Sequence, residues 1–442
     1  MSSEMTIKKK SGDVPNLRFP EFQGEWKSEL MGTIYSFKSN NSLSREKLNY
    51  ENGFVKNIHY GDIHTKYYSL FDITKEVVPF INISESLNTF KEDSYCIEGD
   101  MIFADASEDL QDIGKSIEII NLNNEKLLSG THTILARQIR DSLVIGFGAH
   151  LFRSKKIRTQ IQKEAQGTKV LGLSASRLSK VEISFPANKI EQQKIADCLS
   201  SLDNVILLQK RKIASLQQYK KGLMQKLFPA ERATVPELRF PEFTQQGRWE
   251  RRQLGEVTKF TSGGTPSKDN ADYWNGTIPW ISASSMYSTK LNKSTLNVTN
   301  LAIGNGTRIA KKGSLLILVR GSMLFNRIPM GIADIDVAFN QDVKSLSIDK
   351  KMNAIFLLNQ LMAFESRIAI SETGIGAGKI ETEDLKRLSI YMPSISEQQK
   401  IADCLSSIDE LITDETQKLS ALKTHKIGLM QQLFPTMDEV NV

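Results

Sequence analysis

The sequence predicts an α+β chain in which two globular domains are separated by a long antiparallel two-helix coiled coil, the whole arranged as a pseudo-two-fold internal repeat. Three observations carry this. The string EQQKIADCLSS stands at 191–201 and again, letter for letter, at 397–407, and the copies stay in step, 206 positions apart, down to GLMQKLFP at 222–229 and GLMQQLFP at 428–435. A second repeat brackets the first: PNLRFPEFQGEW runs from Pro15 to Trp26 and PELRFPEFTQQGRW from Pro236 to Trp249. Between these anchors residues 38–166 and 261–373 cannot be aligned by eye, although both mix short β-like runs with loops. The order is therefore variable block, shared segment, variable block, shared segment.

The shared segment reads as a coiled-coil helix. From Ile195 the apolar positions step by four and three through Leu199, Leu202, Ile206, Ile213, Leu216, Leu223 and Leu227, and the second copy follows through Ile401, Leu405, Ile408, Ile412, Leu419, Leu422, Leu429 and Leu433. A period of 3.5 residues held this long is a heptad seam. Both copies break it at the same two places, Gln209 and Lys220 in one, Glu415 and Lys426 in the other. Prolines punctuate both ends, Pro186 and Pro393 before, Pro229 and Pro435 after. About 38 residues at roughly 1.5 Å each give a rod of about 57 Å, a spacer rather than a packing element.

Charge and connectivity choose the partner. Residues 191–229 carry seven Lys or Arg against three Asp or Glu, and 397–435 carry four against six, so the two copies favour each other over themselves. The first helix delivers the chain to the second block, so the helix returning from that block runs antiparallel. Leu199, Leu202, Ile206, Gln209 and Ile213 are expected to pair with Leu405, Ile408, Ile412, Glu415 and Leu419. The division is a first domain with its N-terminal segment over 1–188, a spacer helix over 189–229, a second domain over 230–394, a second spacer helix over 395–435 and a tail over 436–442.

In the variable blocks, strands are predicted at 94–105, 116–122 and 180–185, and at 314–321, 343–348 and 387–392. Each block closes on a matched ending, from Gly167 to Pro186 and from Gly374 to Pro393. The loops carry residue types that nucleic-acid surfaces use. In the first block these are Lys38, Asn40, Asn41, Ser44 and Arg45 in KSNNSLSREK; His59, Tyr60, His64 and Lys66 in HYGDIHTKYY; and Arg153, Lys155 and Lys156 in FRSKKIR. In the second they are Ser262, Gly263, Gly264, Thr265, Ser267, Lys268, Tyr273 and Trp274 in FTSGGTPSKDNADYW, with Arg320, Asn326 and Arg327 in VRGSMLFNR. Amides, guanidiniums and hydroxyls can pair with base edges, while Lys, Arg and free loop N–H groups hold phosphates. Gly263 and Gly264 are expected to let the backbone approach a DNA strand.

Composition and motifs narrow the class. With 57 Lys or Arg against 51 Asp or Glu the formal charge is +6, which permits a polyanionic partner without demanding one. No run approaches the roughly 18 apolar residues of a membrane span, the N-terminus lacks an apolar signal core, and three cysteines give no disulfide framework or zinc spacing, so a cytoplasmic setting is expected. Gly114-Lys115-Ser116 lacks the glycine a phosphate loop needs five positions earlier, where Asp109 stands. Glu25-Trp26-Lys27 has a nuclease-like spacing, but its repeat reads Arg248-Trp249-Glu250. The five histidines form no metal-ligand spacing. No catalytic residue, cofactor or metal is expected in this chain.

Taken together, these residues resemble the specificity (S) subunits of type I restriction-modification enzymes. The resemblance rests on LRFPEF followed by Trp249, Leu254 and Gly255, on SGGTPSKDNADYWNGTIPWIS at 262–282 and NQDVKSL at 340–346, and on EQQKIADCLSS before a long helix. The first half carries another version, FVKNIHYGDIHTKY at 54–67 and SGTHTILAR at 129–137, with Met31-Gly32 in place of Leu-Gly. It implies two target recognition domains, each reading one half of an asymmetric bipartite site on double-stranded DNA. It also implies helices that set the spacing and dock two methylase (M) subunits, which recruit cleavage (R) subunits; methylation, translocation and cutting belong to those chains. Major-groove contacts on one face of B-DNA lie about 34 Å apart per turn, which heads on a rod of about 57 Å can straddle. The competing reading is a non-catalytic two-headed scaffold or adaptor on a coiled-coil spacer, distinguished by whether binding to immobilised duplex falls steeply with salt.

Overall fold

The computed structural model describes residues 14–373 and 376–436, and these divide into two compact units, one holding 14–209 with 418–436 and the other the described residues between 210 and 417. Gly374, the start of the second matched ending, and the ends of the predicted first domain and tail lie outside the described residues. Two 39-residue helices, Lys189–Leu227 and Ile395–Leu433, are each shared between the units. At about 1.5 Å per residue each is roughly 58 Å long.

The two domains have the same strand order although their sequences cannot be aligned. In the first, a five-stranded sheet runs in the order Tyr35–Lys38, Thr133–Gln138, Met101–Ala104, Ser116–Asn121, Leu70–Asp72, antiparallel except for its last pair. In the second, Thr258–Ser262, Val343–Ile348, Leu315–Leu318, Met330–Ala333 and Lys290–Leu291 repeat that order and its parallel last pair. A smaller sheet accompanies each, built around Lys56–Ile58 in one and Trp274–Ile281 in the other, and each of these strands has one parallel neighbour, Leu127–Ser129 and Val337–Phe339 respectively. The parallel pairs need crossovers, which is why no simple hairpin rhythm shows in the sequence.

Each domain core takes in the start of one long helix and the end of the other. Ile195, Ala196 and Leu199 join Leu433 and Phe434 under Trp26 in the first core, and Ile401, Ala402 and Leu405 join Leu227 and Phe228 under Trp249 in the second. Phe434 meets Trp26 edge-on at 6.2 Å, and Trp249 lies 5.8 Å from Phe356. The expectation of a pure spacer is therefore corrected: the terminal turns of both helices are packing elements, because their apolar residues are the ones the sheets need to cover.

The duplicated letters have individual tasks. Glu191, buried in the first turn, takes two N–H groups of Arg18 at 2.7 and 2.8 Å and the Trp26 indole N–H at 3.2 Å. Glu397 takes Arg239 at 2.7 Å through both nitrogens. The amide of Gln192 accepts from Val144 N–H and donates to Ser142 and Pro186 carbonyls; Gln398 does the same with Asn353, Lys351 and Pro393. The LRFPEF anchor then binds the end of a helix, Leu17 N–H to Gln432 O and Leu238 N–H to Lys226 O, both 2.9 Å.

Within each unit the helices run antiparallel. In the second, Lys212 reaches Glu415 at 3.0 Å and Lys220 reaches Asp409 at 2.7 Å, so rising numbers on one helix meet falling numbers on the other. In the first, Lys426 grips Asp203, which is the same ion pair 206 positions on. The polar breaks in the seam are thus cross-helix charges. Of the expected pairing residues, Leu199, Ile206, Leu405 and Glu415 are buried and Leu202, Gln209, Ile213, Ile408, Ile412 and Leu419 half-buried, while Val205, Leu208 and Leu411 face outward.

Local differences from the expected elements have physical reasons. Of the predicted strand 94–105 the residues Met101–Ala104 form a strand, and Gly99 turns the chain just before it with φ +88°. Residues 59–68, expected as a loop, hold the helix Tyr60–Thr65, and 152–158 contain the start of the helix Lys155–Glu164. Val343–Ile348 is a strand over the predicted residues.

The Asp203–Lys426 pair is largely covered, with side-chain exposures of 33% and 12%. Asp203→Lys places two ammonium groups face to face and is expected to cost roughly 2–3 kcal/mol. Adding Lys426→Asp should restore more than half of that loss, read by urea unfolding as a double-mutant cycle.

Candidate nucleic-acid interface

In the first domain a short helix and two loops gather a polar aromatic cluster around Tyr60. His59 caps the helix Tyr60–Thr65, its Nδ1 accepting the Gly61 N–H at 3.1 Å, so the neutral ring carries its proton on Nε2. Burial and the adjoining Arg45 guanidinium pull its pKa below the usual imidazole value. Buried Asp62, the third residue of the helix, accepts Arg45 at 3.0 Å and Lys66 at 2.9 Å, and this hydrogen bonding holds both cations above their ordinary values. Tyr50 Oη accepts from the same two, and the Lys66 ammonium lies 5.4 Å from its ring. The Tyr60 ring is 4.7 Å from His59, 5.2 Å from His132 and 6.1 Å from His64. His132 stands on a left-handed residue, φ +55°, with Nδ1 3.3 Å from Asp105, and His64 Nε2 reaches the Ala106 carbonyl at 3.0 Å.

The structure thus brings Arg45, His59, Tyr60, His64 and Lys66 together from two stretches of sequence and adds Tyr50, Asp62, Asp105 and His132, which sequence reading missed. The quoted run SGTHTILAR contained His132, and a single polar ring in a turn before a buried strand was the available signal. Other expected residues lie apart. Lys38 leans on Asp93 at 3.5 Å, and Asn40 donates to the Thr133 carbonyl at 2.7 Å. Asn41 is buried with its amide bound to Asn57 and Ser129, so it presents nothing outward. Ser44 is exposed just before the turn Arg45–Lys47. Arg153 reaches Ser69 and Lys156 reaches Ser184, while Lys155 is exposed.

In the second domain the segment 262–274 is pinned from below. Gly264 N–H donates to Phe339 O at 3.0 Å, Trp280 Nε1–H to Gly264 O at 3.1 Å, Trp274 Nε1–H to Ser267 O at 3.0 Å and Thr265 Oγ1 to Gln341 Oε1 at 2.7 Å. The two indoles meet edge-on at 5.4 Å, and Tyr273 packs beside them. Lys344, whose pKa burial lowers, donates to Ser262 at 2.6 Å. Thr265, Ser267 and Lys268 are left on the outside. The glycines are corrected: a Cβ on Gly263 would stand 2.2 Å from Phe339 O, and one on Gly264 2.2 Å from Gly306 O. The close approach is to this chain's own backbone.

The second exposed stretch follows the strand Leu315–Leu318. Arg320, Asn326 and Arg327 are exposed, and Arg327 donates to the Met286 carbonyl at 3.0 Å. Arg320 opens a two-residue strand at the place where Ala106 stands in the first domain, since each follows by two residues the end of the equivalent central strand. Likewise the His59–Thr65 turn follows Lys56–Ile58, and the serine turn Ala283–Ser285 follows Trp274–Ile281. Equal scaffold positions carry different donors and acceptors. Among the described residues no group of three or more His, Cys, Asp or Glu could hold a metal ion, and no helix is long and apolar enough to cross a membrane.

Two domains of one strand order carry unlike exposed polar turns, and within each unit a stretch of one long helix pairs with a stretch of the other. The profile of the type I restriction modification DNA specificity domain matches residues 24–218 and again 246–424. The chain belongs to this family, the DNA-recognising specificity subunits of type I restriction-modification systems. A type I restriction enzyme specificity subunit of Escherichia coli is 31% identical over 179 residues, 40% of this chain, which spans 44% of that relative's length. The MjaVIII specificity subunit of Methanocaldococcus jannaschii is 26% identical over 346 residues, 73% of this chain and 76% of that one. The solved S subunit of a type I system from M. genitalium shares the fold at 16% identity, covering 96% of this chain and all of that one with a TM-score of 0.57.

Because the atoms facing the Gly264 position are backbone, they cannot swing aside. Gly264→Ala is expected to destabilise the second domain by about 2–3 kcal/mol through overpacking, seen as an earlier urea transition and faster proteolysis within 230–394.

Proposed function

We propose that each domain reads one half of an asymmetric, bipartite site on double-stranded DNA and that the paired helices set the gap between the halves. The observation that carries this is one strand order presented twice with different polar turns on equal positions. In the first domain the reading surface is the Tyr60 cluster, with His59, His64 and His132 offering ring nitrogens and Arg45 and Lys66 offering charge. In the second it is the loop Thr265–Lys268, the indole Trp274 and the exposed Arg320, Asn326 and Arg327. Ring nitrogens and amides suit base edges, and cations suit phosphates.

The helices dock methylase subunits, two in number because the helix pair offers the same sequence twice, and cleavage subunits join through that assembly. This chain is the non-catalytic member and takes no cofactor. It works in the cytoplasm. The working division is 1–188, 189–229, 230–394 and 395–435 with a tail at 436–442.

The test is a methylome. Replacing residues 38–166 by the corresponding block of another family member is expected to change one half-site and leave the other half and the gap intact; a change in both halves refutes the reading. Inserting four residues after Gln209 lengthens the first helix by about 6 Å, and the expected outcome is a gap altered by one to two base pairs with the bases at each end kept. An unchanged gap would show that the helices are no ruler.

A further inference from the structure

The second domain holds a cavity of about 560 Å³ outside the proposed recognition surface; the core residues Ile368, Ile380, Leu385 and Tyr391 line it together with four arginines, Arg232, Arg251, Arg367 and Arg387. Like charges gathered in one hollow repel unless something answers them. Among the described residues no carboxylate lies within ion-pair distance of Arg232, Arg251 or Arg367, and Arg387 has only Asp384 at 4.0 Å, with both side chains open to water. Glu231 is the other acid at the rim, and its charge is felt at Arg367.

Two of the arginines, Arg367 and Arg251, are held in place by side-chain contacts. Arg367 lies flat on Phe364, 3.6 Å from the ring centre, and donates one N–H to the Pro229 carbonyl at 2.9 Å. Burial pulls its pKa below the ordinary guanidinium value. Arg251 is braced by the Ser389 hydroxyl at 3.0 and 2.8 Å. Arg232 sits at φ +68°, a backbone region that costs a non-glycine residue strain and that persists where the surroundings impose it. The fold does not require the charge: in the first domain the position of Arg251, two residues after the tryptophan, is Ser28, which meets the Ser184 hydroxyl at 2.7 Å.

We infer that this cavity is an oxyanion site for two or more adjacent phosphate groups. Planar guanidiniums with spare N–H groups pair with phosphate oxygens two at a time, which a chloride or a single carboxylate would not satisfy across four arginines. The volume falls in the range of small-ligand sites, roughly 300–1,000 Å³. The phosphates are those of a free pyrophosphate or polyphosphate-bearing small molecule, or consecutive phosphates of a DNA strand.

Isothermal titration of the full chain with pyrophosphate and with tripolyphosphate tests it. One site per chain is expected, and Arg232→Ala and Arg387→Ala, both on exposed residues that the core does not need, should each weaken binding about tenfold. Lys311→Ala, a surface cation elsewhere in the domain, should leave it unchanged. Absence of binding, or equal loss in Lys311→Ala, overturns the site. If saturating duplex DNA displaces pyrophosphate, the phosphates are those of DNA; if both bind together, the site takes a free phosphate compound. Neither outcome depends on which bases the chain reads, so a failed half-site swap and a failed titration are separate results.

Discussion

The structure depends on a buried ion pair used twice. Glu191 and Glu397 are almost fully inaccessible, and each is held by one arginine from an LRFPEF segment, Arg18 or Arg239. Burying a carboxylate is expensive, and the cost is offset only by paired N–H groups and by a favourable field. Both are present here: the arginine fork supplies two bonds, and the first turn of a helix is the end whose dipole favours an anion. The net stabilisation of such a pair is modest, but removing one partner leaves a buried charge, at about 3–5 kcal/mol. The pair therefore dictates geometry more than stability. It fixes the helix start against the anchor segment, and that segment in turn binds the end of the other helix through Leu17 and Gln432 or Leu238 and Lys226. In the first domain this joins three stretches far apart in sequence, around Arg18, Glu191 and Gln432; in the second the helix end and the anchor are near neighbours in the chain and Glu397 comes from far away.

This junction explains why letter-for-letter identity is concentrated where it is. At Glu191, Gln192, Ile195, Ala196 and Leu199 every side chain has a task inside the first domain, and their counterparts repeat those tasks in the second. Farther along, the helices need only a covered seam and matched charges, and there the copies drift: Val205 stands against Leu411, Leu208 against Asp414 and Arg211 against Gln417. Asp203 and Lys220 recur as Asp409 and Lys426 because a charge half-buried between helices needs its partner in one register.

Much of this was legible because helix period and repeat are properties of the chain alone. The long helices end where prolines and heptads place them, and Val343–Ile348 follows its apolar alternation. What was not legible depended on the fold's own interior. HYGDIHTKYY has no helical apolar period, and only the burial of Asp62 and Ile63 together with the His59 cap makes it a helix. Gly263 and Gly264 announce a close approach, but sequence does not say to what; the neighbours are Phe339, Asn340 and Gly306 of this same chain. Asn41 has the chemistry of a base-reading amide and spends it on Asn57 and Ser129. His132 escaped notice because its position against Tyr60 comes from a strand some seventy residues away.

The same reasoning accounts for two blocks that share strand order without sharing sequence. The central strands Met101–Ala104 and Leu315–Leu318 are buried at every position, so each sheet asks only for apolar side chains of suitable volume, and many sequences meet that demand. Phe103 and Leu135 do so in one domain where Ile317 and Leu346 do so in the other. The turns between strands answer to a different constraint. Buried below, they must hold their own backbone, as Gly264 and Trp280 do; above, nothing in the fold restricts them. In one domain the turn after the central strand of the small sheet offers two imidazoles and a phenol, and in the other it offers serines. A scaffold whose interior tolerates substitution and whose turns are independent of it can change what it recognises without changing how it folds, and a chain carrying two copies can change each separately.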